Sequence, residues 1–216
     1  MYNIDTVQQA MDREVCVRVR KLATYAHKRM VTEMQAKVNA ISKELHDLKS
    51  PMLETNGFNR AVAMYGKPRV VEMMSYAWFM RLCTLHWMDV TGQSPIRIVT
   101  PTPDKFIPEM LERARTGQLP FEAPDKHKAR MADGCAAMAH NYETGFRILL
   151  FAYCNMLHDR LPVLFQEAGD YSELFAPDDL LNGGSVLGYI HTSLPTGIAE
   201  IPHVLEGLSY FWQFPD

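Results

Sequence analysis

VCVRVRKLATYAHKRMVTEMQAKVNAISKEL, Val15 to Leu45, decides the fold class of this chain. It lies in an opening, Met1 to Ser50, that contains neither Gly nor Pro. Ile4, Val7, Met11, Val15, Val19, Leu22, Ala26, Met30, Met34, Val38, Ile41, Leu45 and Leu48 recur at a mean step of 3.67 over 44 residues, the period of an α-helix. The spacing predicts one long amphipathic helix, or two joined nearly end to end, reaching roughly 65 Å at about 1.5 Å per residue. Such an element either folds back on the rest of the chain or projects from it.

The opposite face carries Arg13, Arg18, Arg20, Lys21, Lys28, Arg29, Lys37, Lys43 and Lys49. Of these, Arg18, Arg20, Lys21, Lys28 and Arg29 are the candidate contacts to DNA phosphates or to an acidic partner. A solvated face is the plain alternative. Acids at Asp12, Glu14, Glu33, Glu44 and Asp47 interrupt the run, and the stripe offers no aromatic pair for base stacking.

Outward from this helix, Ser50-Pro51 and Asn56-Gly57 read as a turn, and Gly66-Lys67-Pro68 opens a second helix with Pro in a tolerated first-turn position. That helix runs to Val90, apolar on more than one face, and stops at Gly92. Ile96 to Val99 is one short β-like run closed by Pro101 and Pro103, too isolated to found a sheet. Helices are then expected over 108–116, over 125–140 with a possible break at Gly134, over 141–161 as the packing partner of the second helix, and over 185–192 and 202–214. The reading is all-α: an irregular helical bundle, with residues 1–57 as a long basic amphipathic arm and 58–216 as a helical domain.

The 216 residues, 47% hydrophobic and 22% charged, suffice for one cored domain and exclude disorder. A net charge of −3 gives no global argument for nucleic acid, yet Met1 to Arg81 carries +5 and Leu82 to Asp216 carries −8. Cys16, Cys83, Cys135 and Cys154 form no CxxC pair and read as reduced thiols of a cytoplasmic protein. No secretory signal opens the sequence, and both apolar stretches, 70–90 and 146–165, are interrupted by charges that hydrocarbon would reject. A membrane partner is not expected.

Catalytic spacing is missing. There is no GxGxxG, P-loop, GxSxG or HExxH, so no catalytic, cofactor-binding or metal-ligating residue is assigned. Pro177-Asp178 could begin a nuclease motif, but no Glu-x-Lys follows. His86, among Leu85, Trp87 and Met88, reads as a buried, hydrogen-bonded imidazole, and His158-Asp159 has no nucleophile beside it. The terminal aromatics Tyr210, Phe211, Trp212 and Phe214 form a candidate interdomain contact, as in a chain cut from a longer protein.

Three ordered blocks then carry a resemblance. VVEMMSYAWFMRLCTLHWMDVTG (Val70 to Gly92), ILLFAYCNMLHDRLPVLFQEAGDYSELFAPDDLL (148–181) and Ser185 to Phe214 resemble the N-terminal helical region of PglX-type adenine-specific DNA methyltransferases of BREX phage-defence systems. Met80 stands where the family has Asn, and the residues before Val70 show no clear correspondence. In the family this region precedes a Rossmann-like domain that binds S-adenosylmethionine and flips adenine against Asn-Pro-Pro-Tyr, then a target-recognition domain. This chain contains no Asn-Pro-Pro. The resemblance therefore implies a scaffolding or interaction module, inactive by itself, whose parent uses S-adenosylmethionine. Its implied partners are a methyltransferase domain in cis or trans, with DNA and other BREX subunits as further candidates. The rival expectation is a free-standing helical adaptor or decoy that buries Phe211 and Trp212 within itself. A third is a nonspecific DNA binder working through residues 13–49.

Overall fold

A computed structural model describes residues 11–47, 53–102, 107–201 and 203–213. Ile4, Val7, Leu48, Lys49, Ser50, Pro51, Pro103, Pro202 and Phe214 lie outside the described residues. Helix α1 spans Arg13–Asp47, α2 Leu53–Tyr65, α3 Lys67–Val90, α4 Glu109–Arg115, α5 Asp125–Met138, α6 Tyr142–His158, α7 Val186–Ser193, α8 Thr196–Ala199 and α9 Val204–Gln213. A single 3-10 turn, Tyr171–Phe175, lies between α6 and α7. The protein is all-α; among the described residues no strand forms.

Helix α1 begins where Asp12 caps it, its carboxylate accepting the Val15 amide at 2.9 Å. The periodic stripe is then buried as the spacing requires: Val19, Leu22, Ala26, Met30, Met34 and Val38 are each fully enclosed. They pack against α9, α3 and α7. Its 35 residues extend roughly 52 Å.

Helix α3 is the central element, in contact with α1, α2, α7, α8, α9 and the 3-10 turn. Burial on several faces matches its near-continuous apolar sequence. Gly66 (φ 78°) and Gly92 (φ 71°) bound it in left-handed backbone that a side chain would strain.

Three expectations are corrected. Asn56-Gly57 is no turn: it lies inside α2, as does residue 57, where the sequence reading divides arm from domain. Gly57 serves by its size, since a Cβ there would stand 3.0 Å from the Tyr171 ring. The Ile96–Val99 run does not extend as a strand, because the buried Asp89 carboxylate accepts the amides of Ile98, Val99 and Thr100 at 2.8–3.0 Å. What remains β-like is one isolated bridge, Pro101 to Pro108.

The third concerns α6, whose chief partner is α5 rather than α3. Two glycines make that hairpin close: a Cβ on Gly145 would fall 2.8 Å from the Met138 amide nitrogen, and one on Gly134 would meet Leu149. Gly134 therefore works as a contact point, not a break. Between α6 and α3 the aromatic pair Trp78–Phe151 bridges at 5.8 Å between ring centroids.

Candidate interaction face of the long helix

Several polar residues of the family-like blocks hold the chain together. The Trp78 indole donates to the Ser172 carbonyl at 2.8 Å, and Arg81 donates to the Leu164 carbonyl at 2.8 Å and the Ser172 hydroxyl at 3.2 Å. Burial lowers the Arg81 pKa and pushes the neighbouring Cys154 thiol up to about 12. Arg130 of α5 grips Glu173 with two bonds, at 2.9 and 2.5 Å, and donates to the Asn155 side chain at 2.8 Å. Asn155 in turn donates to the Gln166 carbonyl and to Glu173. The DYSEL segment is thus a strap tied to three helices.

PDDLL, residues 177–181, is a second strap. Asp178 pairs with Lys37 at 2.8 Å and Arg147 at 3.0 Å, while Glu33 accepts the Asp178 amide at 2.7 Å. Lys37 also donates to the Ala176 carbonyl. Glu143 accepts the Leu180 and Leu181 amides at 2.7 and 3.1 Å. The Asp178, Glu33 and Glu143 carboxylates are all engaged by the fold, which gives the Pro177-Asp178 dipeptide a structural role.

The histidines are engaged similarly. His86 sits between the Thr100 hydroxyl at 2.8 Å and the Leu194 carbonyl at 2.7 Å, and burial lowers its pKa. The His191 ring lies tilted against it, 5.2 Å away between centroids, its pKa driven by burial down to about 3. His158 Nδ1 bonds to the Phe165 carbonyl at 2.8 Å. The thiols are all free, with Cys83 and Cys154 buried. Among the described residues no group of three or more His, Cys, Asp or Glu is placed to hold a metal ion, and no helix is long and apolar enough to cross a membrane.

The five predicted basic contacts differ in their immediate surroundings. Arg18 pairs with Glu14 at 3.5 Å, Arg29 donates to the Tyr25 hydroxyl at 3.0 Å, and the Arg20 guanidinium lies over the Phe211 ring at 4.8 Å. Lys21 and Lys28 are exposed. The aromatic cluster is also corrected: Phe211 (1% exposed) and Trp212 (4%) are core residues of this chain, not an open docking face. Trp212 stacks on Phe79 with centroids 4.7 Å apart and meets His27 edge-on at 4.9 Å. Tyr210 is half-buried against Phe211.

Two hollows along α1 were missed. One, of about 480 Å³, is lined by Arg13, Cys16, Val17, Arg20 and Lys21. The other, of about 640 Å³, opens between α1, α3 and α9 and is lined by His27, Arg69, Glu72, Met73, Tyr76, Trp212 and Gln213, with His27 and Glu72 paired at 3.3 Å. The available signal was Val17, an apolar residue off the buried stripe and four residues from both Arg13 and Lys21.

The chain is related to the PglX-type methyltransferases of BREX systems. It is similar to the adenine-specific methyltransferase BrxX of Escherichia coli O9:H4 (strain HS), with 29% identity over 152 residues, 66% of this chain and 12% of that protein. No protein-family model matches the chain. The chain therefore spans a small fraction of the length of the curated relative it matches.

Proposed function

We propose that this chain is the N-terminal scaffolding and interaction module of a PglX-like, site-specific adenine DNA methyltransferase acting in BREX phage defence. The observation that carries this reading is the similarity to BrxX over 152 residues, confined to 12% of that protein. The engagement of Asp178, Glu173, His86 and His158 in structural bonds supports a role without chemistry of its own. In this reading the parent enzyme binds S-adenosylmethionine and DNA in other domains and works in the cytoplasm. The module holds the catalytic domain, and the outer edge of α1 meets DNA or another BREX subunit.

The test is methyl transfer from labelled S-adenosylmethionine to duplex DNA by the chain alone, by a PglX-like methyltransferase deleted for the corresponding segment, and by both together. The chain alone is expected to bind no cofactor and transfer nothing, with activity returning only in the mixture. Methylation by the chain alone, or full activity of the deleted enzyme, overturns the reading. A second reading, a free-standing adaptor or decoy, is favoured by the internal burial of Phe211 and Trp212. It expects the mixture to be no more active than the deleted enzyme.

A further inference from the structure

Arg13, Val17, Arg20, Thr24 and His27 follow one another at steps of 4, 3, 4 and 3, a single stripe along α1. Both hollows open on this stripe, beside one helix edge, over the 15 residues from Arg13 to His27 or roughly 21 Å. The floor is apolar where Val17 is 46% exposed and Cys16 half-exposed, and again at the half-buried Met73. The rim is cationic. Arg13, Lys21 and Arg69 are exposed, and no described carboxylate pairs with them. The acids close by are already committed: Asp12 to the helix cap, Glu14 to Arg18 and Glu72 to His27.

We infer that this edge is a docking groove for an acidic amphipathic helix of a partner protein, with apolar side chains over Val17 and Met73 and carboxylates against Arg13, Lys21 and Arg69. Helix-in-groove recognition reads anchors at i, i+3, i+4 and i+7, the spacing the stripe presents. Charge complementarity selects the acidic partner: Arg13, Lys21 and Arg69 have no described carboxylate, while the nearby Asp12, Glu14 and Glu72 each have a described partner. A phosphate backbone fits less well. It has no apolar group for the Val17 floor, and Arg18 and Arg29, which would continue a phosphate track, are held by Glu14 and Tyr25 on another side of the helix. The inference rests on reading the chain as an interaction module, and names the partner's chemistry.

The test uses the whole chain and three fluorescent probes read by anisotropy. One is a helical peptide of roughly 14 residues, the length of the groove, with Leu at i, i+3/i+4 and i+7 between Glu residues; the second replaces each Leu by Ser; the third is a duplex DNA of similar charge. The Leu peptide is expected to bind at least about tenfold more tightly than either other probe. Val17→Glu should cost it at least about tenfold and Arg13→Glu with Lys21→Glu as much, while Lys28→Gln, outside the groove, should change it less than about twofold. Far-UV circular dichroism of each variant separates lost binding from lost folding. Equal binding of the two peptides, tighter binding of DNA, or no saturable binding overturns the inference. Each of these leaves the methyl-transfer assay to decide the module reading separately.

Discussion

Arg130 and Arg13 carry the same guanidinium on helices of the same molecule and end in opposite situations. Arg130 is half-buried, bonded to Glu173 twice and to Asn155 once, with partners 43 and 25 residues away in sequence. Arg13 stands exposed on the rim of a hollow, without a described carboxylate. A charge whose partners come from distant segments fastens those segments. A charge left on a helix edge beside apolar surface is available to something outside the chain. The straps at 170–174 and 177–181 belong to the first kind, and the Arg13 to His27 stripe to the second.

The comparison breaks first if the terminal aromatics are dispensable. Phe211→Ala removes a ring buried against α1 and is expected to cost about 4 kcal/mol, measured by urea unfolding; a loss below about 1 kcal/mol would mean that the ring is not core. Glu173→Ala removes the acceptor that the half-buried Arg130 and the buried Asn155 share and should cost about 3 kcal/mol. Its check is the same titration, with Glu173→Gln expected to recover part of the loss.

The next effect is pH-dependent. His86 and His191 have folded pKa values lowered by burial, His191 to about 3, below the ordinary 6.5. The unfolded chain therefore takes up these protons first, and stability is full above about pH 6.5. It falls as pH drops through the window from 6.5 towards about 3 for His191. Unfolding midpoints at pH 7.5 and 5.0 should differ, and His191→Phe should shrink the difference; an unchanged pH dependence would sink this assignment. The smallest effect sharpens the other side of the comparison. Arg13→Gln with Lys21→Gln should change stability by less than about 0.5 kcal/mol, since these cations are exposed and have no described carboxylate partner. A larger loss in thermal unfolding would mean that these cations belong to the fold.

Several elements were legible before the fold was known. The stripe from Met11 to Val38 announces a helix buried on one face, and Gly66, Pro68 and Gly92 mark the limits of α3 by backbone geometry alone. The β-like pattern of Ile96 to Val99 misled because its amides are taken by Asp89, a partner that no local pattern exposes. Gly57 and Gly134 misled differently. Glycine in a sequence looks like a turn or a break, but here its missing side chain admits Tyr171 and Leu149. The basic face did not reveal that Arg18, Arg29 and Arg20 have different neighbours, Glu14, Tyr25 and Phe211.

The all-α class, the long amphipathic helix, the free thiols and the relationship to PglX-type methyltransferases were determined by the sequence itself, because helical periodicity, cysteine spacing and ordered motif blocks are properties of residue order. Which charges fasten the molecule, which face outward, and that Phe211 and Trp212 are interior were decided only by tertiary structure. Those outcomes depend on partners brought together from up to 145 residues apart, as Glu33 and the Asp178 amide are, and on desolvation that exists only once the helices have packed.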